Sequence, residues 1–164
     1  MNEEWRKFDL RTYPLDPLPD LPAFATLMDI WNDKRDGARL PAWPDFDFDT
    51  VLPWVGRLAI SEFDGKDEFH FVLFGGAFVN LFGRELTGKP LFASLHPDQE
   101  PHSRQHFMAM LKGPLIGHGQ GSVPAVGRDH KAFNVIDLPL SEHGGDVTHF
   151  LHGVVVSEVP ATES

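Results

Sequence analysis

Residues 69–91 read FHFVLFGGAFVNLFGRELTGKPL, and their reading decides the fold. Inside them, GRELTGKP (83–90) matches a phosphate-binding loop, G-x-x-x-x-G-K-[ST], at every position but the last. Pro90 stands where a hydroxyl would reach Mg²⁺, and it withholds a backbone N–H. A nucleotide loop also leaves a strand and opens a helix, so that N–H groups and the helix dipole face phosphate. Here the loop follows Phe78, Leu81 and Phe82, spaced i, i+3, i+4 as one face of a short helix, with no parallel βαβ pattern around it. The glycines therefore serve the backbone: Gly83 ends the helix in a left-handed turn and Gly88 lets the chain reverse. Lys89, Arg84 and Glu85 are expected to be solvated.

Upstream the period changes to two. RLAISEFD (57–64) places Leu58, Ile60 and Glu62 on one face and Ala59, Ser61 and Phe63 on the other. EFHFVLFG (68–75) alternates Phe69, Phe71 and Leu73 against His70, Val72 and Phe74. Joined by the short polar GKD, the two runs predict an antiparallel hairpin. Downstream, a helix over 101–112 presents Phe107, Met110 and Leu111, carries Lys112 in its last turn and stops at Gly113-Pro114. Strands are predicted over 115–121, 130–140 and 148–159, with SEHGGD (141–146) turning between the last two. The order helix, β, β, helices, β, β, β describes an α+β domain built on one antiparallel sheet.

The N-terminal stretch LRTYPLDPLPDLP (10–22) carries four prolines and reads as an extended lead-in. AFATLMDIWNDKRDG (23–37) then sets Phe24, Leu27, Met28 and Trp31 on one helical stripe that stops at Gly37. Such a stripe either docks on its own domain or pairs with a partner subunit, and periodicity does not name the surface. In the following segment Asp45, Asp47 and Asp49 suggest calcium, but Thr50 and Gly56 stand where the loop needs Gly and Glu. Asp49 is read instead as a cap on a short turn through Leu52. The chain divides into an N-terminal lead-in and helix (1–44), a core (45–160) and a tail (161–164).

Composition narrows the function. The formal charge is −10 over 164 residues, which disfavours nucleic acid and anionic membranes. There is no cysteine, hence no disulfide, thiolate metal site or flavin–cysteine adduct. The start, MNEEWRKFDL, lacks the apolar core of a secretory signal, and no stretch approaches a membrane span. A cytoplasmic protein is expected. Phe outnumbers Tyr by 14 to 1, which suits a dry core or a dry cavity wall.

Nine histidines raise metal chemistry. His102 and His106 stand at i, i+4 with His96 upstream, but Ser103 replaces the glutamate of H-E-x-x-H. His149 and His152, three apart on a strand, face opposite sides. No serine lies in a G-x-S-x-G elbow. No catalytic residue and no metal ligand is assigned.

With these readings in place, the stretch resembles the second strand, first short helix and following turn of a PAS domain, in particular the bacterial family of small single-PAS proteins. The match runs through Leu52-Pro53, Leu73-Phe74-Gly75, Leu81-Phe82-Gly83-Arg84 and Leu86-Thr87-Gly88, and later through Leu138-Pro139-Leu140; Gly76 departs from a common Thr. LFGRELTG is its specific part, and the likeness spans roughly 20–158. It implies a five-stranded antiparallel sheet with short helices on one face, an N-terminal helix, and a cavity that holds a ligand, haem or flavin or is filled by side chains. The cavity candidates are Phe71, Leu73, Phe78, Phe82, Leu91, Phe107, Met110, Phe133, Val135 and Val154. It also implies signalling through altered protein contacts and an N-terminal helix that dimerises, which makes Phe24, Leu27, Met28 and Trp31 the candidate interface of a homodimer. The expected function is a non-enzymatic regulatory module that binds a small apolar ligand, a protein partner or both, with an unknown cofactor. No kinase, cyclase or DNA-binding segment lies within the 164 residues, so output is expected to pass to a separate signalling protein. The competing reading is a small metal-dependent enzyme centred on His96, His102 and His106.

Overall fold

The computed structural model describes residues 9–37, 39–47, 49–124, 130–143 and 145–159. The tail at 161–164, the first eight residues of the N-terminal segment and positions 38, 48, 125–129, 144 and 160 lie outside the described residues. The elements are β1 (Asp9–Tyr13), α1 (Ala25–Arg35), β2 (Leu58–Phe63), β3 (Phe69–Phe74), α2 (Gly76–Phe82), α3 (Glu100–Lys112), β4 (Ile116–Pro124), β5 (His130–Leu140) and β6 (His149–Val159). Among the described residues they build one antiparallel sheet of six strands in the order β1-β4-β5-β6-β2-β3. The sixth strand is β1. Its residues precede the prolines of the lead-in and supply free N–H and C=O groups, so they pair with the open edge of β4 from Asp9↔Gln120 to Tyr13↔Ile116.

The hairpin of β2 and β3 forms as its alternation requires, with one departure. Ile60 faces Leu73 and Ser61 faces Phe71, so Val72 is an extra residue in β3. This bulge reverses the alternation beyond it. Phe71 and Phe74 both turn inward, while Val72 and Leu73 are 40% and 47% exposed. Leu73 is thereby removed from the cavity it was expected to line.

Across the free edge of β3, the chain after α2 folds back as a cover. The Phe71 N–H donates to Lys89 O, Gly88 N–H to Phe71 O and Leu91 N–H to Phe69 O. Two glycines permit this path: Gly83 caps α2 at φ 78° and Gly88 turns at φ 79°. The phosphate-loop likeness thus dissolves into a helix stop and an edge cover. Arg84 and Glu85 are exposed but engaged, Arg84 with Ser94 O at 2.6 Å and Glu85 with the N–H and hydroxyl of Thr87. In the preceding segment the capping carboxylate is Asp47, not Asp49: it accepts from Thr50 N–H at 2.9 Å and from its hydroxyl at 2.7 Å.

Both faces of the sheet are covered. One carries α2 and α3, with Phe69 at the centre of a ring cluster that includes Phe63, Phe92, Phe107 and Phe150. The other carries α1. Trp31 donates its indole N–H to Pro139 O at 2.9 Å, Leu27 lies against Gly153, and Phe24 stacks on Trp54. Leu27 and Trp31 are fully buried, and Phe24 and Met28 nearly so. These four side chains pack into the chain's own core, the docked alternative that the stripe left open. The reason lies in the sheet: Leu151, Gly153 and Ile136 present an apolar surface that a charged face could not cover.

Trp31→Ala is expected to lower the unfolding free energy by about 3–5 kcal/mol in urea titrations. Because the contact is within one chain, the loss should be the same at every protein concentration.

Candidate ligand site

Between the sheet and the α2–α3 layer lies a cavity of about 90 Å³. Its walls are Phe71 from β3, Phe78, Leu81 and Phe82 from α2, Leu86, Leu91 and Leu95 from the connecting segment, Phe107 from α3, and Phe133 and Val135 from β5, with Leu10 of β1 at the rim. Seven of the ten residues expected at the cavity line it. Met110 and Val154 are fully buried but lie in the packing beyond it, and Leu73 has left it through the bulge.

The room itself comes from β4. Register pairs Gly117 with Asp137 and Gly119 with Val135, so the glycines of IGHGQG share the cavity face while Ile116 and His118 point to the α1 side. Gly119 lines the cavity. At Gly117 an added Cβ would meet Met110 Sδ at 2.6 Å, Asp137 Oδ2 at 2.8 Å and His106 Nε2 at 2.8 Å. Only a hydrogen fits there. A strand stripped of side chains on one face lets α3 come close enough for His106 to reach the sheet.

What His106 reaches is a buried polar chain. Asp137 Oδ2 lies 3.4 Å from His106 Nε2, Asp137 Oδ1 lies 2.7 Å from His152 Nδ1, and His152 Nε2 lies 2.8 Å from Ser61 Oγ. All four side chains are buried. Burial pushes the Asp137 carboxyl upward, but hydrogen bonds and charge from His106 and His152 overcome it and bring the group from 3.8 down to about 2. A carboxylate has no proton to give, so His152 Nδ1 donates to it. Its Nε2 is hydrogen-bonded to the Ser61 hydroxyl. Asp137 and His152 line the cavity floor.

Ser61, His152 and Asp137 stand in the sequence of contacts used by acyl-transfer enzymes. The serine, however, is fully buried and is not part of the cavity wall. A nucleophile must meet its substrate, and this one faces only its own histidine. On the other side of β6, His149 stacks on Trp43 at 4.8 Å, so the two histidines face apart as their spacing implies. Burial pushes the His149 imidazole down against the pull of Glu62 and Glu142.

The three histidines of the metal reading do not converge. His106 is committed to Asp137, His102 is exposed, and His96 accepts from the Asp98 N–H at 3.1 Å. Among the described residues no group of three or more His, Asp or Glu side chains is arranged to hold a metal ion. Sequence reading missed Asp137, His152 and Ser61 as a set. The available signal was an acid at an inward position of β5, in phase with Phe133 and Val135.

A family model described as a PAS domain matches residues 20–156. The chain belongs to the PAS domain family, and its α+β architecture with short helices on an antiparallel sheet is that of a PAS domain. PAS domains are signalling and regulatory modules. No curated protein and no solved structure gives a significant match. No described helix is long and apolar enough to cross a membrane.

Two outcomes follow from the polar chain. Asp137 titrates near 2 when folded and near 3.8 when unfolded, so its contribution is present above pH 4 and is lost as pH falls toward 2. Chemical denaturation across that window should show a loss of roughly 2 kcal/mol that Asp137→Asn lacks. Gly117→Ala should separate His106 from Asp137 and destabilise by roughly 1–3 kcal/mol, with a change in the His106 imidazole NMR signals.

Proposed function

We propose that this chain is a non-enzymatic signalling module that takes up a small, mostly apolar ligand in the cavity and passes its state to a separate protein. The observation that carries the reading is the cavity itself: a wall that is mostly hydrocarbon, with Asp137 and His152 at its floor and Ser94, Gln99 and Ser103 as its other polar lining residues, the usual make-up of small-molecule sites. At about 90 Å³ it is smaller than sites for drug-sized ligands, which run from roughly 300 Å³ upward. It is nearer an apolar cavity of about 150 Å³ that accepts benzene. The occupant is accordingly compact.

The absence of reactive groups in contact with the cavity supports a binding role over a chemical one. Its floor offers Asp137, whose oxygens are engaged by imidazoles, and His152, whose two nitrogens are both bonded. The hydroxyls of Ser94 and Ser103 sit at the wall without a base beside them among the described contacts.

Val135→Phe fills the cavity from the strand side. Native mass spectrometry of the freshly purified protein should show a retained small mass in the wild type and none in the variant, with the fold kept by circular dichroism. A wild-type protein that retains nothing and whose melting temperature is unmoved by any small apolar compound would refute the reading.

A further inference from the structure

One wall of the cavity comes from outside the family-matched residues. β1 (Asp9–Tyr13) precedes the matched span 20–156, yet its Leu10 lines the cavity. Register explains how it gets there. Leu10 stands opposite Gly119 of β4, and Gly119 stands opposite Val135 of β5. All three line the cavity, so they form one row across its sheet face. The middle position has no side chain. The space over Gly119 is therefore bounded by Leu10 on one side and Val135 on the other.

β1 is also the most lightly held strand of the sheet. Among the described residues it is the one strand with no buried side chain: Leu10 and Tyr13 are half-buried, and Arg11 and Thr12 are exposed. It lies at the end of the strand order, paired to β4 alone, and otherwise packs against α3. Its ion pair, Arg11 Nε to Asp9 Oδ2 at 2.9 Å, joins two residues of the same strand and does not tie it to the rest. Local opening costs least where few apolar contacts are buried and backbone bonds lie at the surface. Release of β1 therefore costs less than unfolding the domain.

We propose that β1 is a ligand-operated strap: an occupant lying over Gly119 touches Leu10 only while β1 is docked on β4, so occupancy holds the strap down. The inference rests on the ligand-binding reading above and supplies the moving part that reports it. The coupling is reciprocal. Whatever draws β1 away from β4 lowers ligand affinity by the same factor by which the ligand opposes that release. The N-terminal strand is then the element whose docked or free state a separate protein can sense.

The test follows amide hydrogen exchange of the full chain by NMR, with benzene as the probe. At a benzene concentration about nine times its Kd, exchange of the β1 amides and of their β4 partners should slow about tenfold, because opening then requires the ligand to leave. Amides in the last turn of α1, on the far face of the sheet, should keep their rates. In Leu10→Ala at equal benzene occupancy, the slowing should shrink to about twofold or less, since the wall contact that couples strap and ligand is gone. Benzene that binds without changing β1 exchange overturns the inference and leaves the ligand-binding reading standing. Slowing that persists undiminished in Leu10→Ala also overturns it, because the coupling then does not run through that contact. If benzene does not bind, both readings fall. Should β1 fail to dock in Leu10→Ala, the wild-type rates with and without benzene are sufficient to uphold or overturn the inference.

Discussion

A carboxylate held away from water by two imidazoles organises this molecule. Asp137 belongs to β5, His152 to β6, His106 to α3, and the chain of contacts ends on Ser61 of β2. Three strands and the principal helix of one layer meet in a single polar line, so the position of α3 over the sheet is set by direction as well as by apolar contact. Hydrophobic burial is non-directional and would tolerate a helix sliding by a fraction of a turn. Hydrogen bonds to a fixed carboxylate do not. The cavity is the space left between α2 and α3 once α3 is held there, and its shape depends on that line.

The same line explains why β4 is written with glycine on one face. A side chain at 117 would occupy the place where His106, Met110 and Asp137 converge. The opposite face shows a related device at Gly153, where Leu27 of α1 presses to within 2.6 Å of the Cβ that glycine lacks. Two missing side chains, one per face, let helices from both layers approach the central strands. Hence both faces of the sheet are covered where the helices approach, and Ile136, Leu138, Phe150, Leu151 and Val154 are all fully buried, while Val156 further along β6 is exposed.

Much of the fold was legible because it is written in period and punctuation. The β2–β3 hairpin, α2 with its Gly83 stop, α3 with its Gly113 stop, and strands β4 to β6 follow from alternation, i, i+3, i+4 spacing and turn residues. The bulge at Val72 left no such trace, since FHFVLF alternates without a break and only pairing with β2 reveals the extra residue. β1 was hidden by its neighbours: five residues before a proline-rich run carry no strand signal until an open edge is offered. The stripe of α1 was legible as a stripe, yet its partner surface, the far face of the chain's own sheet, is a tertiary fact. At the site, the apolar wall could be read from Phe71, Phe78, Phe82, Phe107 and Phe133. The polar floor could not, because Ser61, His106, Asp137 and His152 are separated in the chain and meet only through sheet register and helix docking.

Stability alone does not account for that floor. An enclosed ionic cluster loses hydration on folding, and well-packed apolar groups of similar volume commonly serve as well or better. The acid-side contribution of Asp137 is a gain relative to its unpaired self and not relative to a hydrocarbon core. A domain with 14 phenylalanines has no shortage of apolar material to place between β5 and α3. Asp137 and His152 of the cluster also stand at the cavity surface, where a polar group can meet something other than protein. Energetics and location therefore support the proposed binding role of the cavity over one for the exposed histidines or for the glycine-rich turn that first resembles a nucleotide loop.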